Sequence, residues 1–279
     1  MHVSVGDIEL YVHERGEGRP LVTVHGGPGF DGSVWFPGIE PLAAEGWRVL
    51  APDLRANGRS GAGDPNTWTV PQMADDVEAL LQSLDLTDPV VAGWSFGSFV
   101  VQAHMVRHGT ASAYVLMGTV AEPAALELVQ DRLASFEPQH LREQVTLSWE
   151  RESTVETPED CRSLWHDQIP FQVLDPEGPW VDYFMEHDEV VFRPEVLRHF
   201  ATGGTYGMED WREELRDFRK PVLVLSGEGD RTTDPASAHE LASLLPAGEE
   251  VVIRGAAHMF LYERQDETLG ALRSFLARV

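Results

Sequence analysis

Apolar residues recur along this chain with two periods that replace one another in a regular order. Alternating stretches at 2–5 and 8–13 open it, joined by Gly6-Asp7, a pair that favours a hairpin turn. Unalternating apolar runs of strand length follow at 21–24, 47–51, 90–92, 113–117, 222–225 and 250–253. Such runs predict strands buried on both faces, as in a parallel sheet. Between them Met73, Val77, Leu80, Leu81 and Leu84 share one helical face, and near the end Leu269, Leu272, Phe275 and Leu276 do the same. Strands that alternate with helices predict an α/β fold with a doubly wound sheet.

The rhythm lapses between 121 and 207. That stretch holds 18 acidic and six basic residues, together with Trp149, Trp165, Trp180, Tyr183 and Phe184. Helical patterns recur in it, with breaks at Pro158, Pro170, Pro176 and Pro179. It reads as a helical cap inserted into a core made of residues 1–120 and 208–279. The aromatic side chains should face the core and most of the acids should face water.

Composition narrows the function classes. Among 279 residues the formal net charge is −25, and Lys220 is the one lysine. Phosphate affinity needs clustered Lys and Arg, so neither a nucleic-acid binder nor a ligand of anionic membrane surfaces is expected. A single cysteine, Cys161, excludes an intrachain disulfide. The longest apolar stretch, 90–106, is interrupted by Ser95, Gln102 and His104 and is short for a membrane span. No basic-then-apolar leader opens the chain. A cytoplasmic protein acting on a small molecule or short peptide is the expectation; the oligomeric state is not readable.

Chemistry concentrates in loops that follow strands. Gly93-Trp94-Ser95-Phe96-Gly97 comes directly after the run 90–92 and before a helical pattern. That is the context of a nucleophile elbow, a tight turn that exposes a strained serine, with small residues letting neighbouring backbone approach. His25-Gly26-Gly27-Pro28-Gly29 follows the run 21–24 and leaves backbone N–H groups uncovered, as an oxyanion site requires. The amides of Gly27 and Phe96 are the expected donors. A base and its orienting acid should follow Ser95 in the chain: His258 lies past the run 250–253, and Asp230 past the run 222–225. Open α/β sheets place their sites at this edge. Asp234, Glu228 and Glu122 compete with Asp230 for the acid's role. His104 and His108 stand four apart but lack a third metal ligand, so they read as ordinary helix residues. His25 and Asp53 read as braces of their loops.

With these residues in view, the chain resembles the α/β-hydrolase superfamily over nearly its whole length. HGGPG at 25–29, PDLRANGRS at 52–60 and GWSFGS at 93–98 resemble more narrowly its prolyl iminopeptidase branch. The resemblance implies a mostly parallel eight-stranded sheet flanked by helices, a helical cap, and Ser95, Asp230 and His258 as a catalytic triad. It implies release of N-terminal proline from small peptides, with no metal or organic cofactor required. In that branch cap carboxylates hold the substrate's free ammonium, often from a Glu-x-His-Tyr-Phe segment. Here Trp180-Val181-Asp182-Tyr183-Phe184 has Trp where that glutamate would be. Asp182, Glu186, Asp188 and Glu189 are the acids that would replace it, with Trp94, Trp180 and Tyr183 as further substrate contacts. The missing glutamate also suits an esterase or lactonase with aromatic walls from Phe30, Trp35, Trp94, Phe96 and Phe99. A relative that binds ligand without turnover, and a cofactor-free oxygenase, are the remaining alternatives.

Overall fold

The hairpin opens the sheet. In the computed structural model, which describes residues 1–187, 189–202 and 205–279, β1 (His2–Val5) pairs antiparallel with β2 (Ile8–Arg15) across a turn where Gly6 takes φ 73°. The apolar runs become β3 (Arg19–Val24), β4 (Trp47–Pro52), β5 (Val90–Trp94), β6 (Ala113–Met117), β7 (Val222–Gly227) and β8 (Gly248–Ile253). The spatial order is β1-β2-β4-β3-β5-β6-β7-β8. From β4 onward every pairing is parallel, and β2 joins β4 antiparallel.

Successive residues of a strand point to opposite faces, and each face has its own apolar layer. Val22, Val91, Leu116 and Val224 pack with Met73, Val77 and Val100 from the helices Val70–Ser83 and Phe96–Arg107. Leu21, Val90, Val115 and Leu225 pack with Ile39, Leu269 and Leu272 from the helices Phe36–Ala43 and Gln265–Leu276. One run departs from expectation. As the outermost strand, with a neighbour on one side alone, β8 buries only Ile253 fully.

Local signals set the helix boundaries. Thr69 accepts from the Gln72 amide and Pro71 sits in the first turn, so that helix begins at Val70. Between β6 and β7 come six α-helices among the described residues: Ala124–Ala134, Gln139–Arg151, Pro158–Gln172, Pro179–Glu186, Pro194–Ala201 and the single turn Arg212–Leu215. Pro158 and Pro179 mark helix starts, as their missing N–H allows. Pro170 is no break; it sits in the last turn of its helix, where losing one backbone bond ends little. Among the described residues no helix is long and apolar enough to cross a membrane.

Candidate active site

Ser95 stands where β5 ends and the helix Phe96–Arg107 begins, with φ 56° and ψ −124°. A side chain in that region is strained, at a cost of order 1–3 kcal/mol, so the surroundings must hold it. The Ser95 amide donates to Met117 O at 2.8 Å, tying the turn to the end of β6. The two glycines act by absence of a side chain. A Cβ on Gly93 would lie 2.4 Å from Gly97 O, and one on Gly97 would lie 2.2 Å from Val24 O.

The loop after β3 lies against the serine: a Cβ on Gly26 would come within 3.0 Å of Ser95 Cβ. Its first residue, His25, is wholly buried; its Nε2 accepts from the Leu54 amide at 3.0 Å and its Nδ1–H donates to Gly26 O at 2.9 Å. Desolvation keeps that imidazole's pKa below its usual value, so it braces the loop in neutral form. The amides of Gly27 and Phe96 have no acceptor among the described residues. Two free donors thus flank Ser95, one at a helix N-terminus, where partial positive charge accumulates.

Asp230 follows β7, and His258 follows β8. His258 Nδ1 donates to Asp230 Oδ2 at 2.8 Å, with side-chain exposures of 6% and 0%. Asp230 also receives the Thr232 and Thr233 amides on Oδ1, each at 2.8 Å, and the Thr233 hydroxyl on Oδ2 at 2.7 Å. Burial pushes the Asp230 pKa up, but the electrostatic attraction and bond of the His258 imidazole and the Thr233 bonds outweigh it. The carboxyl lies below its ordinary range and is ionised. With Nδ1 engaged, His258 Nε2 has no partner among the described residues, and the ring lines the same cavity as Ser95. Gly118, at φ 52° after β6, lets the imidazole in: a Cβ there would sit 2.9 Å from His258 Cε1.

The competing acids are committed elsewhere. Asp234 caps the helix Pro235–Leu244 and pairs with Arg132; Glu228 accepts from the Gly255 amide; Glu122 pairs with Arg212 at 2.7 Å. His104 is buried against Glu78 and Tyr114, while His108 bonds Asp75. Among the described residues the closest approach to a metal-ligand set is His13, Asp31 and Asp53. Their atoms already serve as braces: Asp53 accepts from His13 and from the Gly32 and Arg59 amides, and Asp31 accepts from Arg59 and the Ser33 and Val191 amides.

The cavity, about 760 Å³, lies between the strand ends and the inserted helices. Trp94 and Tyr183 line it, and Glu189 reaches its wall. Trp180, Asp182 and Glu186 do not. The helix Pro179–Glu186 turns Tyr183 and Phe184 to the cavity, and Asp182 and Glu186, four apart, share the exposed face. Trp180 packs behind the wall, on the rings of Tyr183 and Tyr262. Asp188 lies outside the described residues. Of the expected aromatic wall, Phe30, Trp94, Phe96 and Phe99 are present, whereas Trp35 is buried behind Trp94.

Sequence reasoning missed Glu152. It is buried in the cavity wall, accepting from Gln168 Nε2 at 2.8 Å and from the Tyr206 hydroxyl. Desolvation pushes its pKa up to about 7, and among the described residues no cation stands beside it. In sequence it sits in Glu150-Arg151-Glu152, indistinguishable from a solvated helix face. Thr233 and Gly118 were likewise without signal, because their roles depend on where β7 and β6 end.

The chain is similar to known proteins over most of its length. A non-heme chloroperoxidase of Kitasatospora aureofaciens is 23% identical over 90% of this chain and 89% of its own. A proline iminopeptidase of Clostridium botulinum is 22% identical over 94% and 90%. The solved structure of a thermophilic esterase from Thermogutta terrifontis superposes with a TM-score of 0.76 at 25% identity, over 100% of this chain and 98% of that one. The model of the alpha/beta hydrolase fold family matches residues 19–265. With its eight-stranded sheet and its serine turn after β5, the chain belongs to the α/β-hydrolase family.

Proposed function

We propose that the protein is a serine hydrolase that cleaves small carboxylic esters through an acyl-enzyme, with residues 121–207 acting as the cap over its substrate. The observation that carries this reading is the buried 2.8 Å His258–Asp230 bond beside a cavity that also receives the strained Ser95. His258 Nε2 takes the Ser95 hydroxyl proton as Oγ attacks the ester carbonyl carbon. The amides of Gly27 and Phe96 hold the oxyanion of the tetrahedral intermediate. That intermediate collapses as His258 protonates the departing alcohol. Water, deprotonated by the same nitrogen, then attacks the acyl-enzyme and releases the acid, returning the proton to Ser95. Asp230 fixes the Nδ1–H tautomer and stabilises the imidazolium. The apolar walls from Phe30, Trp94 and Phe184 suit an uncharged acyl or alkoxy group.

A second reading, release of an N-terminal proline, is favoured by one observation. Glu152 offers a buried carboxyl with no cation beside it among the described residues, which a substrate ammonium would complete. The test is hydrolysis of p-nitrophenyl butyrate and prolyl-p-nitroanilide by wild-type and Ser95→Ala protein. Ester turnover that disappears in Ser95→Ala is expected. Anilide turnover lost on acetylating the proline nitrogen would select the second reading, and full activity in Ser95→Ala would sink both.

A further inference from the structure

The loop that carries the Gly27 amide is clamped from two sides, and the second side belongs to the inserted helices. From the core, Asn57 Oδ1 accepts the Gly29 amide at 2.6 Å. From the segment before the helix Pro194–Ala201, the Arg193 amide donates to Gly29 O at 2.8 Å. The same residue's Nε donates to Gly58 O at 2.7 Å, next along from Asn57. Arg193 therefore bonds both the loop that presents the amide and the loop that holds it. Contact is tight: Gly29 takes φ 90°, and a Cβ on it would lie 2.8 Å from Arg193 O and 3.1 Å from Leu197 Cβ. Two further links run alongside. Val191 N donates to the buried Asp31 at 3.1 Å, and the Phe192 ring meets Phe30 edge-on at 5.1 Å.

We propose that Arg193 is a positioning residue for the oxyanion site, so that the inserted segment helps to place the Gly27 amide as well as to cover the substrate. This rests on the serine-hydrolase reading, in which Gly27 N–H is a donor. Gly27 takes φ 59° and Phe30 N closes back onto Gly27 O at 3.1 Å, so the peptide turns sharply between its anchors. Of the loop's outer anchors, His25 fixes one end. Gly29, held by Asn57 and Arg193, fixes the other. Releasing the second end lets the amide drift from where negative charge develops, while the apolar walls that bind substrate stay in place. Its effect should therefore fall on the transition state and spare ground-state binding.

The experiment compares wild-type, Arg193→Met, Arg193→Lys, Asn57→Ala and the Arg193→Met/Asn57→Ala double variant with p-nitrophenyl butyrate. It also compares inhibition by an alkyl trifluoromethyl ketone, whose Ser95 adduct carries an oxyanion, with inhibition by the matching neutral alcohol. Complete loss of an oxyanion donor costs about 10²–10³ in rate; a displaced donor should cost about 10-fold. Arg193→Met keeps the backbone bond to Gly29 O and removes the Nε bond to Gly58 O, which steadies the loop carrying Asn57. Its kcat and trifluoromethyl ketone affinity are expected to fall by up to about that factor, with KM and alcohol inhibition within twofold. Arg193→Lys, which keeps a charged donor on a longer-reaching stem, should recover part of the loss. The double variant should lose less than the product of the single losses, because the Arg193 side chain reaches Gly29 only through the Gly58 loop that carries Asn57. Equal weakening of ketone and alcohol, or multiplicative losses in the double variant, would overturn the proposal. So would wild-type ketone affinity in both Arg193 variants. A wild-type protein that turns over no ester, or keeps its activity in Ser95→Ala, would instead remove the reading beneath it.

Discussion

Gly118→Ala tests how His258 is held. Gly118 takes φ 52°, where an alanine is strained by about 1–2 kcal/mol. Its new methyl carbon would stand 2.9 Å from His258 Cε1, 3.2 Å from Nδ1 and 3.4 Å from Thr233 Oγ1. Ordinary contact begins near 3.4 Å, so the ring must retreat by 3.4 − 2.9, about 0.5 Å. It cannot do so freely, because Asp230 holds Nδ1 at 2.8 Å and the Trp94 ring lies 6.3 Å away centroid to centroid. A displacement of about 1 Å at a reacting group costs about 10²-fold, so half of that should cost about 10-fold in kcat. The strain itself should lower Tm by about 2–8 °C for a domain of this size. Gly6→Ala separates the two effects. Gly6 takes φ 73° but has nothing within 4 Å of the added carbon, so it should lose a similar Tm and keep its kcat. Ester turnover and thermal unfolding of both variants are the assays. Should Gly118→Ala match Gly6→Ala in kcat as well as in Tm, the argument that this backbone position admits the imidazole fails.

Two pH predictions follow from buried groups. Glu152, with its pKa raised from 4.5 to about 7, holds a proton in the folded chain that the unfolded chain has released. Its contribution is full below about pH 4.5 and is lost as pH rises through 7, by at most about 3 kcal/mol. Glu152→Gln should therefore raise Tm at pH 8 and change it little at pH 4.5, and the reverse pattern by calorimetry would contradict the burial argument. His104, with its pKa lowered to about 4 by burial, binds its proton more readily when unfolded. Its contribution is full above about pH 6.5 and is lost as pH falls towards 4. His104→Gln should flatten the acid side of the Tm–pH curve, and an unchanged acid limb would place that loss elsewhere.

The α/β architecture was readable because strands buried on both faces leave unbroken apolar runs, and one-sided helices leave a 3.6-residue stripe. Gly93 and Gly97 were readable for a related reason: a turn that tight excludes side chains at fixed offsets from the serine, whatever the rest of the chain does. Ser95, Asp230 and His258 could be placed at strand ends on the same grounds. The burial of β8 was not readable, since a run of apolar residues does not say whether its strand lies at the edge of a sheet. Nor could the sequence separate Asp182 and Glu186, which face water, from Glu152, which faces the cavity. Every one of them is an acid in a helical, acid-rich stretch, and the side of a helix that meets the core is settled by packing against neighbours far along the chain. The same holds for Gly118 beside His258 and Arg193 beside Gly29, residues 140 and 164 positions apart. Local covalent and steric demands are written along the chain, but the chemistry of a pocket depends on long-range proximity, which exists only once the sheet has ordered its strands.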